Sequence, residues 1–343
     1  MTRNSIYISS NTLNRRQSLF DAVMYLRSAF SIQVFFIDEI HYLEHAAGDL
    51  KKLFDFSDVQ VFCTSSSSLR IQDSAYDLSR RVIVRKIPQC SFREYLYFIH
   101  GTQLPELSLR DLVDGNISRE YLLYSKDFER YLQGGGCLFL MDPGAHIRQF
   151  GSILSTICTR DIPAVKRGLS MEDLRKLEEV IDFIGRSPVE GINYSSISRN
   201  VGVTKYKAQQ YISLLEAAFL VTCVFPEGTN VLKEPKVFME LPYRLLYRSY
   251  QDCIGSLRED FFASAMNQGG IAFQYLKSKR GEKTPDFIIQ HNDLSVVLEV
   301  GGKGRGRSQF KDVTYDKKII LYHSSDDLRV SSGRMPLFLL GFL

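Results

Sequence analysis

A chain of 343 residues is long enough for two or three domains. With 44% apolar and 24% charged residues its composition is ordinary for a globular protein, which excludes fibrous and wholly disordered classes. The net charge of +4 is small, and it is concentrated: eight basic residues (Lys277, Lys279, Arg280, Lys283, Lys303, Arg305, Arg307, Lys311) stand against four acidic ones (Glu282, Asp286, Asp293, Glu299) within residues 277–311, which accounts for the whole excess. Such a patch is either a phosphate-backbone footprint or a pair of solvated loops. Six scattered cysteines without a C-x-x-C pair argue against zinc and a disulfide framework and fit a reducing cytosol. A polar N-terminus with Arg3, Arg15 and Arg16 shows no signal peptide, and no apolar run approaches the ~18 residues of a membrane span, so the expected location is cytoplasmic.

The first informative element is residues 34–41, Val-Phe-Phe-Ile-Asp-Glu-Ile-His. An apolar run ending in two carboxylates has the form of a Walker B strand, a buried parallel strand with acids at its carboxyl end. In that reading Asp38 holds Mg²⁺ and Glu39 positions or deprotonates the attacking water. The plainer reading is a hydrophobic strand whose next residues meet water. A phosphate-cradling Gly-x-x-x-x-Gly-Lys-[Ser/Thr] loop does not precede it, since the first glycine of the chain is Gly48. The nearest match, Gly301 to Ser308, carries Arg307 in place of the lysine and lies far downstream.

Residues 59–69, Val-Gln-Val-Phe-Cys-Thr-Ser-Ser-Ser-Ser-Leu, form a second apolar run ending in hydroxyls. A neighbouring parallel strand would bring Thr64–Ser66 beside Asp38, where a hydroxyl senses the γ-phosphate or the attacking water. A Ser-rich turn is the alternative. Asp77-Leu78-Ser79-Arg80-Arg81 and Ile87-Pro88-Gln89-Cys90-Ser91-Phe92-Arg93-Glu94-Tyr95-Leu96 follow.

With these residues in view the chain resembles a family of bacterial and archaeal AAA-type ATPases of poorly defined cellular role. The matching residues are Tyr7-Ile8-Ser9, Phe36–His41, Thr64–Ser66, Leu78–Arg81 and Ser91–Leu96, in the family's order. The resemblance implies ATP and Mg²⁺ as cofactors, Asp38 at the metal and nucleotide, and Glu39, Thr64 and Ser66 as catalytic groups. Two departures qualify it. The family's P-loop strand and helix have no counterpart ahead of Tyr7, and Ser65 replaces the glycine of the usual Thr-Gly-Ser. The implied activity is ATP binding with hydrolysis impaired for want of the Walker A loop.

Residues 97–135 carry mixed helical signals up to Gly134-Gly135-Gly136, a helical lid and connector in the family's arrangement. From residue 171 the pattern is that of a helix-turn-helix. Leu174, Leu177, Val180, Ile181 and Ile184 share one helix face, with Gly185 and Pro188 as a stop. Tyr194–Val201 forms a short second helix, and Thr204 caps a third that buries Ala208, Tyr211, Ile212 and Leu215. Leu220–Phe225 and Val237–Met239 read as a two-stranded wing, which completes a winged helix. For DNA the third helix offers Lys205, Lys207, Gln209, Gln210 and Ser213. Two lysines are few for that task, and packing or partner binding is the favoured use of the module.

The last third carries a second set of carboxylates. Glu259 sits on an expected helix, Pro285-Asp286 opens a strand, and Val296–Val300 with Glu299 forms the next strand after a turn at His291–Asp293. The order resembles the PD-(D/E)xK nuclease core, in which Asp and Glu on adjacent strands hold Mg²⁺ and a Lys two residues beyond the Glu activates water. Here residue 301 is Gly and the nearest lysine is Lys303, and Gly301-Gly302 argues against regular strand there. Arg305 and Arg307 remain candidates for phosphate contact.

The fold class expected is α/β: a partial P-loop NTPase (AAA-type) parallel sheet over residues 1–96, a helical lid over 97–170, a winged helix over 171–242 and a restriction-nuclease-like α/β domain over 243–343. Candidate partners are DNA, another protein or a second copy of the chain, with no membrane association. The competing function is nucleic-acid binding, with or without cleavage, through the winged helix and the C-terminal domain.

Overall fold

The computed structural model describes residues 4–14, 16–65, 78, 80–141, 147–166, 168–228, 234–277, 284–291, 294–302, 310, 315 and 317–343. Ser66, Lys303, Arg305 and Arg307 lie outside the described residues. The chain packs as two compact units: residues 1–87 with 156–170 and 217–219, and residues 88–155 with 171–216 and 220–343.

In the first unit β1 (Ser5–Ser9), β2 (Val34–Asp38) and β3 (Gln60–Cys63) form a parallel sheet in that order. Between the strands run α1 (Leu19–Phe30) and α2 (Ala46–Phe56). Ser18 caps α1 by accepting from the Asp21 amide, and the buried Asp49 carboxylate accepts from the Leu19 amide at 2.7 Å, so two acceptors serve the exposed donors of one helix start. The core of this unit is Leu19, Val23, Phe35, Ile37, Ile40, Leu43 and Leu53, with Ile6, Ile8 and Val61 packed against it.

Strand β2 is parallel and largely buried, with one face in the core. Side chains alternate along a strand, and the register Tyr7↔Phe36↔Phe62 puts these three rings together on the opposite face, where all stay exposed. Phe36 and Phe62 stack there at 5.3 Å.

The second unit begins with α3 (Phe92–His100), which opens on a capping box: Glu94 N–H donates to Ser91 Oγ while the Glu94 carboxylate accepts from the Ser91 amide. The chain then turns through a π-type segment, Tyr131–Gly135, whose Gly134 has φ 123°. Three helices follow, α4 (Met171–Arg186), α5 (Tyr194–Val201) and α6 (Lys205–Ala217), then the antiparallel pair β4 (Val221–Val224) and β5 (Lys236–Met239). Thr204 caps α6 as expected, accepting from the Lys207 amide. Gly185 does not stop α4, however. It lies inside the helix, where a Cβ would stand 2.1 Å from the Tyr247 ring, so its role is close packing.

Helix α7 (Tyr250–Gln268) lies against a five-stranded sheet of order β10-β9-β8-β7-β6. Strands β6 (Phe273–Tyr275), β7 (Phe287–His291) and β8 (Leu294–Gly302) are antiparallel, whereas β9 (Lys317–His323) and β10 (Arg334–Pro336) continue parallel to β8. Apolar residues of β7, β8 and β9 alternate between two clusters. Phe287, Ile289, Val296, Leu298, Val300, Ile319 and Leu321 join Phe261 and Phe262 of α7, while Ile288, Val297, Ile320 and Tyr322 pack on the other face. Gly301 and Gly302 are regular strand after all, paired with Tyr322 and His323. The parallel partner strand supplies the hydrogen bonds that override glycine's weak strand preference.

Two carboxylate sites and the candidate function

Strand β2 delivers Asp38 to the carboxyl end of the parallel sheet, and Glu39 follows in left-handed backbone (φ 53°, ψ 48°), turning the chain into a short 3-10 segment, Ile40–Tyr42. Sheet bonding carries on past the strands: Thr64 N–H donates to Ile37 O at 3.0 Å and Ile40 N–H to Thr64 O at 2.9 Å. This fixes Thr64 beside the two acids. Its hydroxyl donates to Asp38 Oδ1 and accepts from the Glu39 amide at 3.1 Å. Tyr7 Oη donates to Asp38 Oδ2 at 2.7 Å. The Thr64 hydroxyl first, and then Tyr7, hold the Asp38 carboxyl below the usual carboxylate range, and the same bond raises the Tyr7 phenol.

Glu39 faces a second set of partners. Its Oε2 is 2.9 Å from His41 Nδ1, and His41, which is buried, lies 3.3 Å from Ser65 Oγ. Asp161, from the 156–170 segment of the same unit, adds a further acid: burial raises its pKa, and the nearby His41 and Arg160 oppose that. The structure thus brings together the predicted Asp38, Glu39 and Thr64. It adds Tyr7, His41 and Asp161, which sequence reasoning did not single out. Tyr7 was accessible in principle, because parallel register and strand alternation put it on the Asp38 face. Asp161 gave no sequence signal.

An ionised, partly exposed carboxylate with hydroxyl oxygens around it is a hard donor set of the type Mg²⁺ takes, with one or two carboxylates and several waters. The described residues therefore fit Mg²⁺ at Asp38. A cradle of amides and a lysine for the phosphates does not occur among them.

In the second unit the β7–β8 register (Phe287↔Leu298) sets Asp286, the residue before β7, across from Glu299, and Val300 N–H donates to Asp286 Oδ2 at 2.8 Å. Glu299 is fully buried. Glu259 on α7 shares this end of the sheet. Burial, and then the Asp286 charge, push its carboxyl up to about 8, and its Oε2 is enclosed with no hydrogen-bond partner among the described residues. No group of three or more His, Cys, Asp or Glu among the described residues is arranged to hold a metal ion. Asp286 also lines a cavity of about 660 Å³, together with Glu190, Arg199, Glu234 and Lys236, and Glu259 lies within electrostatic reach of Lys236 and Glu190.

Because Glu259 binds its proton more tightly folded than unfolded, its stabilising effect is complete below its unfolded value of 4.5 and is lost as pH rises through about 8. Stability should fall across that window by at most ~1.4 kcal/mol per pH unit from this one group. In Glu259→Gln this part of the slope should vanish, as read from urea midpoints at pH 5 and pH 8. An unchanged slope would show that Glu259 ionises normally.

Both lysines offered for DNA by α6 are engaged within the protein. Lys205 Nζ is 2.5 Å from Glu234 Oε1, and Lys207 Nζ is 2.8 Å from Asp173 Oδ1. Glu234 also accepts from the Ser195 amide and hydroxyl at the start of α5. These contacts hold the segment before β5 to α5 and α6.

No helix among the described residues is long and apolar enough to cross a membrane. A family described as a domain of unknown function (DUF8612) matches residues 125–239. The uncharacterized protein MJ1637 of Methanocaldococcus jannaschii is 26% identical over an alignment covering 98% of this chain and 77% of its own length. Residues 1–96, which carry the Asp38 site, match a family described as an AAA domain, so by family match as well as by motif the N-terminal part is similar to a P-loop NTPase-like domain.

Proposed function

We propose that the first unit is the Mg²⁺ and water side of an ATP site of the AAA type, in which this 343-residue chain binds ATP weakly and hydrolyses it poorly. The observation that carries the reading is Asp38. It sits at the carboxyl end of the central parallel strand, kept ionised by Thr64 and Tyr7, with Glu39 as the next residue. Mg²⁺, when bound, would neutralise phosphate charge. Asp38 would hold it, Thr64 would fix the Asp38 rotamer, and Glu39 would orient water, itself steadied by His41. Weak binding follows from the lack of a Gly-x-x-x-x-Gly-Lys-[Ser/Thr] run within the chain.

Calorimetry with Mg²⁺-ATP tests this. Binding should be millimolar, should need Mg²⁺, and should weaken about tenfold in Asp38→Asn, the loss of one charge-assisted contact. Ordinary micromolar binding would refute the missing cradle, and binding indifferent to Asp38→Asn would remove Asp38 from the site.

A second reading is favoured by the Glu259–Asp286 pair at the open end of the five-stranded sheet: residues 243–343 are a nuclease-like domain that contacts nucleic acid, with residues 171–242 a winged helix used for packing or a protein partner. The engaged lysines of α6 support partner binding over base reading. All six cysteines are free, in keeping with a cytoplasmic protein.

A further inference from the structure

We propose that Arg258 is the anchor of a binding site for a phosphoryl or phosphodiester group at the carboxyl ends of β8 and β9. The proposal deepens the second reading where the phosphate belongs to a nucleic acid, and stands without it where the phosphate is free. Arg258 lies on α7, one residue before Glu259, and its half-buried guanidinium reaches the last residues of two parallel strands. Its Nε donates to Nδ1 of His323, which ends β9, at 3.2 Å. Gly302, which ends β8 and pairs with His323, lies under the guanidinium: a Cβ there would be 3.3 Å from one terminal nitrogen and 3.7 Å from the other.

Three features make this more than a packed arginine. First, no carboxylate among the described residues pairs with it, and burial without a counter-charge lowers its pKa, in contrast to the neighbouring Arg244, which Asp260 neutralises. A guanidinium withdrawn from water without an anion costs free energy that an anionic ligand would return. Second, among the described residues only Nε has a hydrogen-bond partner, so the planar fork keeps its terminal N–H donors for a ligand, the geometry suited to two phosphate oxygens. Third, the fork is held in place. Burial lowers the His323 pKa to about 4, which leaves one ring nitrogen as an acceptor, the Arg258 bond assigns that acceptor to Nδ1, and the Phe128 ring packs against the imidazole at 5.1 Å. The location is also the one where open α/β sheets bind ligands, outside the carboxyl ends of parallel strands. Glycine at position 302 puts no side chain against the guanidinium.

The test uses the full chain with two probes, inorganic phosphate by calorimetry and a labelled single-stranded DNA oligonucleotide by fluorescence anisotropy at low salt. Arg258→Gln should weaken phosphate binding by about tenfold or more, Arg258→Lys less, because a point charge replaces the fork. Gly302→Val, which keeps the arginine and fills the approach, should weaken it as much as Arg258→Gln. Melting temperatures identify any variant that fails to fold, and the remaining two then decide. Phosphate binding that depends on Arg258 with no DNA binding supports the site while the nucleic-acid reading falls. DNA binding indifferent to Arg258→Gln and Gly302→Val overturns the site while that reading survives. A wild-type chain that binds neither probe overturns it outright.

Discussion

Replacing Arg244 by Met should cost the second unit about 3–5 kcal/mol, the usual penalty for stranding one half of a buried ion pair. Arg244 and Asp260 are both buried, with Nε 2.6 Å from Oδ2 and Nη2 3.1 Å from Oδ1. Burial opposes the arginine's charge, and the Asp260 carboxylate more than offsets this, so its pKa ends above the ordinary value. The remaining donors cap a helix. Nη1 donates to Ile184 O and Ser187 O, both at 2.8 Å, satisfying carbonyls at the end of α4 that have no partner within the helix. Asp260 also accepts from the Met239 amide of β5 at 3.0 Å. One pair therefore ties α4, β5 and α7 together. Urea denaturation followed by far-ultraviolet circular dichroism gives the measurement. The double variant Arg244→Met, Asp260→Leu should recover much of the loss, because no uncompensated charge then remains buried. A single variant within 1 kcal/mol of wild type would show that water reaches the pair.

Phe92→Ala should be comparably severe, about 3–5 kcal/mol, as for other large aromatic truncations in cores. The ring is fully buried and meets Phe128, Tyr131, Phe338 and Phe342 edge-on at 5.4–6.0 Å. Gly341 abuts it so closely that a Cβ there would stand 2.4 Å from Phe92 Cβ. Phe92→Leu should cost clearly less, since it leaves a smaller cavity. The same denaturation assay separates them, and equal costs for Ala and Leu would mean that ring geometry rather than volume holds the cluster.

Ser91-Phe92-Arg93-Glu94-Tyr95 belongs, with Leu78-Ser79-Arg80-Arg81, to the residues that carry the family resemblance. In the structure its residues cap a helix and fill a core: Ser91 and Glu94 form the capping box, and Phe92 and Tyr95 are buried. That run serves the fold, whereas Asp38, Glu39 and Thr64 meet at the strand ends through side-chain contacts, and the two kinds of run look alike in sequence.

Much of the first site was legible because its signals are local. Strand β2 ends at two acids, β3 ends at Thr64, and parallel pairing of consecutive apolar runs brings their ends together. Tyr7 required the register between β1 and β2, and Asp161 required a return of the chain from more than a hundred residues away. Likewise Lys205 and Lys207 look free in sequence, yet Glu234 and Asp173, which neutralise them, are 29 and 34 residues distant.

The sequence by itself determined what periodicity and end-residues encode: the apolar runs, the faces of α4 and α6, the capping of α6 by Thr204, and the acids at strand ends. Tertiary structure alone decided what depends on neighbours. Gly185 stays helical because Tyr247 fills the space its missing Cβ leaves, and Gly302 stays in a strand because β9 bonds it. Arg258 and Arg244 are both arginines of the same unit, and only the surroundings make one neutralised and the other open to an anion. The physical reason is common to all of these. A residue's intrinsic preference is worth about 1 kcal/mol, whereas burial, pairing and desolvation by distant segments are worth several, and so the fold decides.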